Sequence, residues 1–91
     1  MDSTSDIMNA LRAARALLDL SQEELAVAAG VSRQIIVRIE KCEGNVLAEA
    51  IEKVRIALEA AGVVFVEGNA TRGPAVALIR RRGSRMESTT E

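Results

Sequence analysis

The 91-residue chain has no histidine, no tryptophan and no tyrosine, one cysteine (Cys42), one proline (Pro74) and one aromatic residue, Phe65. The missing histidine removes the Ser/His/Asp triad, the Cys/His pair, the imidazole metal ligand and the imidazole pH switch. With one cysteine there is neither an intrachain disulfide nor a cysteine-based zinc site, and a reducing cytoplasm suits the chain best. No catalytic residue, metal ligand or cofactor site is expected, so the sequence reads against an enzyme. Single-strand nucleic-acid modules stack bases on aromatic rings, and one phenylalanine does not supply such a platform. The longest apolar runs, Leu25–Val31 and Ala60–Val66, are seven residues each, against ~18 needed to cross a bilayer. The start Met1-Asp2-Ser3-Thr4-Ser5-Asp6 is acidic and polar, unlike a secretory leader. A cytoplasmic, non-membrane protein of one small domain is expected.

The charge that is present is unevenly placed. Twelve Lys+Arg face thirteen Asp+Glu overall. Residues 33–42 carry Arg33, Arg38 and Lys41 against Glu40, while residues 43–71 carry five glutamates against Lys53 and Arg55. Residues 72–86 carry Arg72, Arg80, Arg81, Arg82 and Arg85 with no acid. A uniformly basic surface would suit sequence-blind binding to nucleic acid. Two basic islands on an acidic body instead suit a single face turned to phosphates, the rest being repelled.

Hydrophobic spacing predicts four helices and two strands. Residues 1–6 read as a frayed tail, with Ser5 or Asp6 capping a first helix whose inward face is Ile7, Leu11, Ala14 and Leu18. Ser21 and Glu24 form a capping box, flanked by Leu20 and Leu25 as a hydrophobic staple. Gly30 breaks that second helix, and Ser32 caps a third, stapled by Val31 and Ile36, with Ile36 and Ile39 facing inward. A fourth helix has the stripe Leu47, Ile51, Val54, Leu58, Ala61 and stops at Gly62. Val63-Val64-Phe65-Val66 is β-branched and apolar on both faces, and Ala75–Ile79 reads as a second strand across a turn. The fold class is thus mainly α: a four-helix domain over residues 7–61, then a hairpin or strand pair over 62–82, and a polar tail over 83–91.

Two short helices joined through Gly30 have the spacing that a DNA-reading helix-turn-helix requires, the first bracing on the backbone and the second lying in the major groove. The run from Leu20 to Glu40, LSQEELAVAAGVSRQIIVRIE, resembles the phage-repressor and Cro (XRE-like) helix-turn-helix regulators of bacteria. Gln22, Ala26, Gly30, Ile36, Ile39 and Glu40 stand where that family places its standard residues, and the resemblance covers about residues 7–61. It implies that Gln22 bonds a phosphate at its helix N-terminus. It also implies that Ser32, Arg33 and Gln34 open the reading helix, Arg33 suited to guanine and Gln34 to adenine. Arg38, one turn on, would reach a further base or a phosphate, with Lys41 on the backbone; Arg12 reads as a backbone contact or as a solvated residue. Arg15 and Glu40 look similar to a structural ion pair of some members. One departure is Cys42, where many relatives have glycine; either Cys42 or Gly44-Asn45 makes that turn. Ile35 falls between the two faces, suited to packing or to a thymine methyl.

One reading helix carries few base contacts, each good pair discriminating by ~1–3 kcal/mol, so a two-fold pair on a palindromic operator is expected. The strands offer the interface: Val63, Val64, Phe65, Val66, Val76 and Leu78, by strand pairing or by packing of both hairpins. The function expected is a sequence-specific regulator of double-stranded DNA, a homodimeric repressor. The alternative is an antitoxin with the same DNA-binding half and a C-terminal segment that binds a toxin or other regulatory protein. The Arg80–Arg85 run reads as a solvated end, a phosphate-touching arm or a site for an acidic partner.

Overall fold

The computed structural model describes residues 3–79; the Arg80–Arg85 run and the tail 83–91 lie outside the described residues. Four helices come first: α1 (Ser3–Leu17), α2 (Gln22–Ala29), α3 (Arg33–Glu40) and α4 (Ala48–Ala60). Two strands follow, β1 (Val63–Val66) and β2 (Ala75–Leu78), as an antiparallel pair.

The middle helices start where their caps dictate. The Ser21 side chain accepts from the Glu24 N–H while Glu24 accepts from the Ser21 N–H, closing the capping box. The Ser32 hydroxyl accepts from the Ile35 N–H at 3.2 Å. Each such cap stabilises by about 1 kcal/mol. Gly30 ends α2 at φ +73°, its N–H reaching the Ala26 and Val27 carbonyls, a conformation that costs a residue with a Cβ ~1–2 kcal/mol. The same problem recurs after α3, where Cys42 itself takes φ +57°. Gly44-Asn45 is therefore not what reverses the chain there.

One core is shared by all these elements. Met8, Leu11 and Ala14 of α1, Leu25 and Ala26 of α2, Ile36 and Ile39 of α3, and Val54 and Leu58 of α4 are buried, together with Val63 of β1. Burying each large aliphatic side chain stabilises by ~1.5–3 kcal/mol relative to exposure. Ala26 of α2 is 3% exposed, and its carbonyl accepts from the Gly30 and Val31 N–H groups at the turn into α3.

Three expectations are corrected here. Helix α1 begins at Ser3, inside the stretch 1–6 expected to fray, so Ser5 and Asp6 lie in its first turn rather than capping it; Asp6 there complements the helix dipole. Ile7, expected inward, is 47% exposed, and Met8 takes its place at 1%. Positions three and four before Leu11 are neighbours on a helix, and the unbranched thioether fits the gap. Leu47 is exposed as the N-cap of α4 and Ala61 as its C-cap, since both stand at cap positions rather than inside the helix. The buried stripe is accordingly shorter, Val54 and Leu58 with Ile51 at its margin.

The strands pair in the register Val63↔Leu78, Val64↔Ala77, Phe65↔Val76 and Val66↔Ala75, and the Ile79 N–H extends the ladder to the Gly62 carbonyl at 2.8 Å. Between them, the Asn69 side-chain oxygen accepts from the Thr71 and Arg72 N–H groups, folding the connecting loop on itself.

Candidate nucleic-acid interface

Helix α3 is built with two opposed sides. Ile36 and Ile39 are each 1% exposed, and Ile35 is half-buried against the core, where it serves packing. Ser32, Arg33, Gln34 and Lys41 are exposed, and Val37 and Arg38 are half-exposed. Positions 33, 34, 37, 38 and 41 recur at three- and four-residue spacing, so the polar residues share a face turned from the core. Arg38 stands 3.9 Å from the Glu43 carboxylate, both side chains 42% exposed. In water such a pair is worth under ~1 kcal/mol, so Arg38 is free to exchange that partner for another anion.

At the back of α3 the polar groups converge on one carboxylate. Arg15 Nε donates to Glu40 Oε2 at 2.5 Å and Nη2 to Oε1 at 2.9 Å, a bidentate fork. Its remaining Nη1 donates to the Leu20 carbonyl at 2.7 Å, tying in the loop before α2. Gln22 Nε2 donates to Glu40 Oε1 at 3.0 Å, and Gln22 Oε1 accepts from Arg33 Nη2 at 3.5 Å. Arg12 Nη1 donates to the Glu40 main-chain carbonyl at 3.4 Å, near the C-terminal end of α3. The carboxylate thus links α1, α2 and α3, and only 8% of its side chain is exposed.

Burial works to raise the Glu40 pKa, but the hydrogen bonds from Arg15 and Gln22 and the charges of Arg15 and Arg12 outweigh it, and the carboxyl titrates below its ordinary 4.5. The same hydrogen bond raises Arg15 above its ordinary value. Glu40 is therefore an anion held in place, and it fixes the axis of the helix that carries Arg33, Gln34 and Arg38.

The residues expected at a DNA surface divide into three groups. Ser32, Arg33, Gln34, Arg38 and Lys41 lie together on or beside the exposed side of α3. Gln22 and Arg12, expected on phosphates, make hydrogen bonds inside the protein through the Glu40 network. Arg80, Arg81, Arg82 and Arg85 fall outside the described residues. The sequence pattern gave no signal for the role of Gln22 as a bridge between Glu40 and Arg33, because that contact spans 18 and 11 residues respectively.

The expected interface residues also divide. Val63 is 2% exposed and Phe65 and Val76 are half-buried against the core, so these three face the helices. Val64 at 42%, Val66 at 39% and Leu78 at 47% remain accessible. Alternate residues of a strand face opposite sides, and one side packs on the helices; Leu78, opposite Val63 in the register, lies on that inner side yet stays accessible at the end of the pair.

Among the described residues, no helix is long and apolar enough to cross a membrane. No curated protein matches the chain. A family model for the helix-turn-helix matches residues 11–59, more than half of the chain. With two capped helices joined by a left-handed turn at Gly30 and a polar face on α3, the chain belongs to the Cro/C1-type helix-turn-helix family of DNA-binding transcription regulators.

Proposed function

We propose that the chain is a sequence-specific repressor that binds a palindromic operator as a homodimer, with α3 in the major groove. The observation that carries this reading is the two-sided α3: isoleucines seal one side into the core, and Arg33, Gln34 and Arg38 are presented on the other. Arg33 pairs bidentately with guanine and Gln34 with adenine, while Arg38 takes a further base or a phosphate. Ser32 and Lys41 flank this set and contact the sugar-phosphate backbone. Gln22 and Arg12 reach phosphates only by giving up contacts with the Glu40 network, or by adding a phosphate to it. Occupying an operator in this way blocks polymerase, and repression follows from occlusion alone.

The test is titration of operator duplex with the Arg33→Ala variant. A loss of ~1–3 kcal/mol in specific binding, with relaxed preference at one base position, is expected. Unchanged operator affinity would refute the assignment of α3 as the reading helix. The antitoxin reading draws on the accessible apolar side of the strands, and a second small protein that co-purifies with the chain would favour it.

A further inference from the structure

The Gln22 side chain stands between two groups that demand opposite ends of its amide. On one side Gln22 Nε2 donates to Glu40 Oε1 at 3.0 Å, and on the other Gln22 Oε1 accepts from Arg33 Nη2 at 3.5 Å. An amide carries donors at one end and an acceptor at the other, whereas a carboxylate only accepts and a guanidinium only donates. While Glu40 is ionised, the amide therefore has one orientation that satisfies both neighbours. Turned end for end, it would set oxygen against carboxylate and N–H against N–H. Glu40 in turn is held by the Arg15 fork, with 8% of its side chain exposed.

Arg33 has little else to hold it. It is exposed at the first position of α3. Among the described residues its side chain makes one hydrogen bond, to Gln22, and no ion pair. A long side chain left loose in solvent loses rotamer freedom when it docks, and that loss is subtracted from the affinity of the docked pose. At 3.5 Å the bond from Arg33 is long, so it biases the guanidinium rather than locking it. The tether takes one N–H and leaves the rest of the fork for the O6 and N7 of a guanine.

We propose that Gln22 is a positioning residue for base choice at Arg33, and that Glu40 decides which end of the Gln22 amide Arg33 meets. The chain of contacts runs from Arg15 on α1 to Glu40 at the end of α3, across to Gln22 on α2, and back to Arg33 at the start of α3. Base choice at the first residue of the helix thus depends on a carboxylate at its last. The proposal rests on the reading of α3 given above and deepens it. It also separates two roles for Gln22. A contact to phosphate strengthens binding to every duplex alike. A side chain that pre-orders Arg33 for one pose strengthens binding to guanine and leaves the other bases, which do not use that pose, nearly untouched.

The experiment uses the full chain and a set of duplexes taken from the word enriched by wild type, varied only at the base that Arg33→Ala ceases to prefer. The quantity read is the ratio of affinities for guanine and for each other base there. Gln22→Ala is expected to lower that ratio roughly three- to tenfold, with affinity for the other bases little changed. Glu40→Gln is expected to lower it too, because an amide at position 40 both donates and accepts and no longer dictates how Gln22 turns. Adding Gln22→Glu to Glu40→Gln is expected to restore it, since a carboxylate at position 22 accepts from both sides. Arg15 lacks its carboxylate partner equally in the single and the double variant, so a general loosening of the fold does not predict the recovery. Uniform weakening of all duplexes by Gln22→Ala overturns the proposal and leaves Gln22 a phosphate contact. So does a ratio that the double variant fails to restore. Gln22→Ala keeps the Arg15–Glu40 pair and decides the question by itself where Glu40→Gln does not fold. An Arg33→Ala variant that keeps the guanine preference sinks the reading of α3, whereas a preference lost in Arg33→Ala and kept in Gln22→Ala sinks the positioning role alone.

Discussion

The helix-turn-helix half and the hairpin half of this molecule handle surface in opposite ways. In the first, the polar side chains of α3 are exposed on its outer side and stitched together at Glu40 behind it. In the second, the outer face has no polar strand residue at all, and its exposed valines and isoleucine have nothing among the described residues to cover them. The contrast teaches that the orientation of α3 is secured by polar contacts inside one chain, whereas the outer face of the strands is left without a polar partner among the described residues.

The strongest way to break the first half of this comparison is to remove its central anion. Glu40→Ala leaves Arg15 without its carboxylate and Gln22 without one of its partners, and breaking a mostly buried pair costs about 3 kcal/mol. A fall in Tm of well over ~10 °C is expected for a chain of this size, with operator binding lost in parallel. A shift of only a degree or two would show that α3 is held by its isoleucines alone.

The pH dependence sharpens the same point. Because the Glu40 pKa is lowered in the folded state, the folded protein binds fewer protons than the unfolded chain between the two values. The stabilisation is fully present above the ordinary value of 4.5 and is lost as pH falls through the lowered folded value. Chemical denaturation from neutral to acid pH is expected to show this loss in wild type, and a flatter acid limb in Glu40→Gln.

The smallest effect concerns the turn that follows α3. Cys42 holds φ +57° while its Sγ donates to Asn9 Oδ1 at 3.5 Å. Cys42→Ala keeps the strained backbone and loses that contact, whereas Cys42→Gly loses the contact and relieves the strain. The glycine variant is expected to be more stable than the alanine variant by ~1 kcal/mol, measured by denaturant unfolding. Equal stabilities would mean that the backbone at this position is not strained.

How much of this was legible in the sequence varies by mechanism. Local signals read well: Ser21 with Glu24 and Ser32 alone mark helix starts because a cap acts over three residues. The inward isoleucines of α3 followed from helical spacing. Ile7 and Met8 were confused because both lie next to Leu11 on a helix, and only packing chooses between them. The Gln22 bridge was invisible, as no local rule links residues on three helices. For the strands, the apolar content of Val63–Val66 was plain, but which alternate set faces the helices depends on how β1 meets α4. The left-handed turn at Cys42 was one of two options, and cysteine itself gives no preference for positive φ.

The most direct measurement of the central claim is selection of bound duplexes from a random pool by wild-type protein and by Arg33→Ala. Wild type is expected to enrich one inverted repeat, with guanine preference at a fixed position in each half that Arg33→Ala erases while the rest of the word survives. No enriched word, or an identical word from both proteins, would contradict the claim that the exposed side of α3 reads base identity.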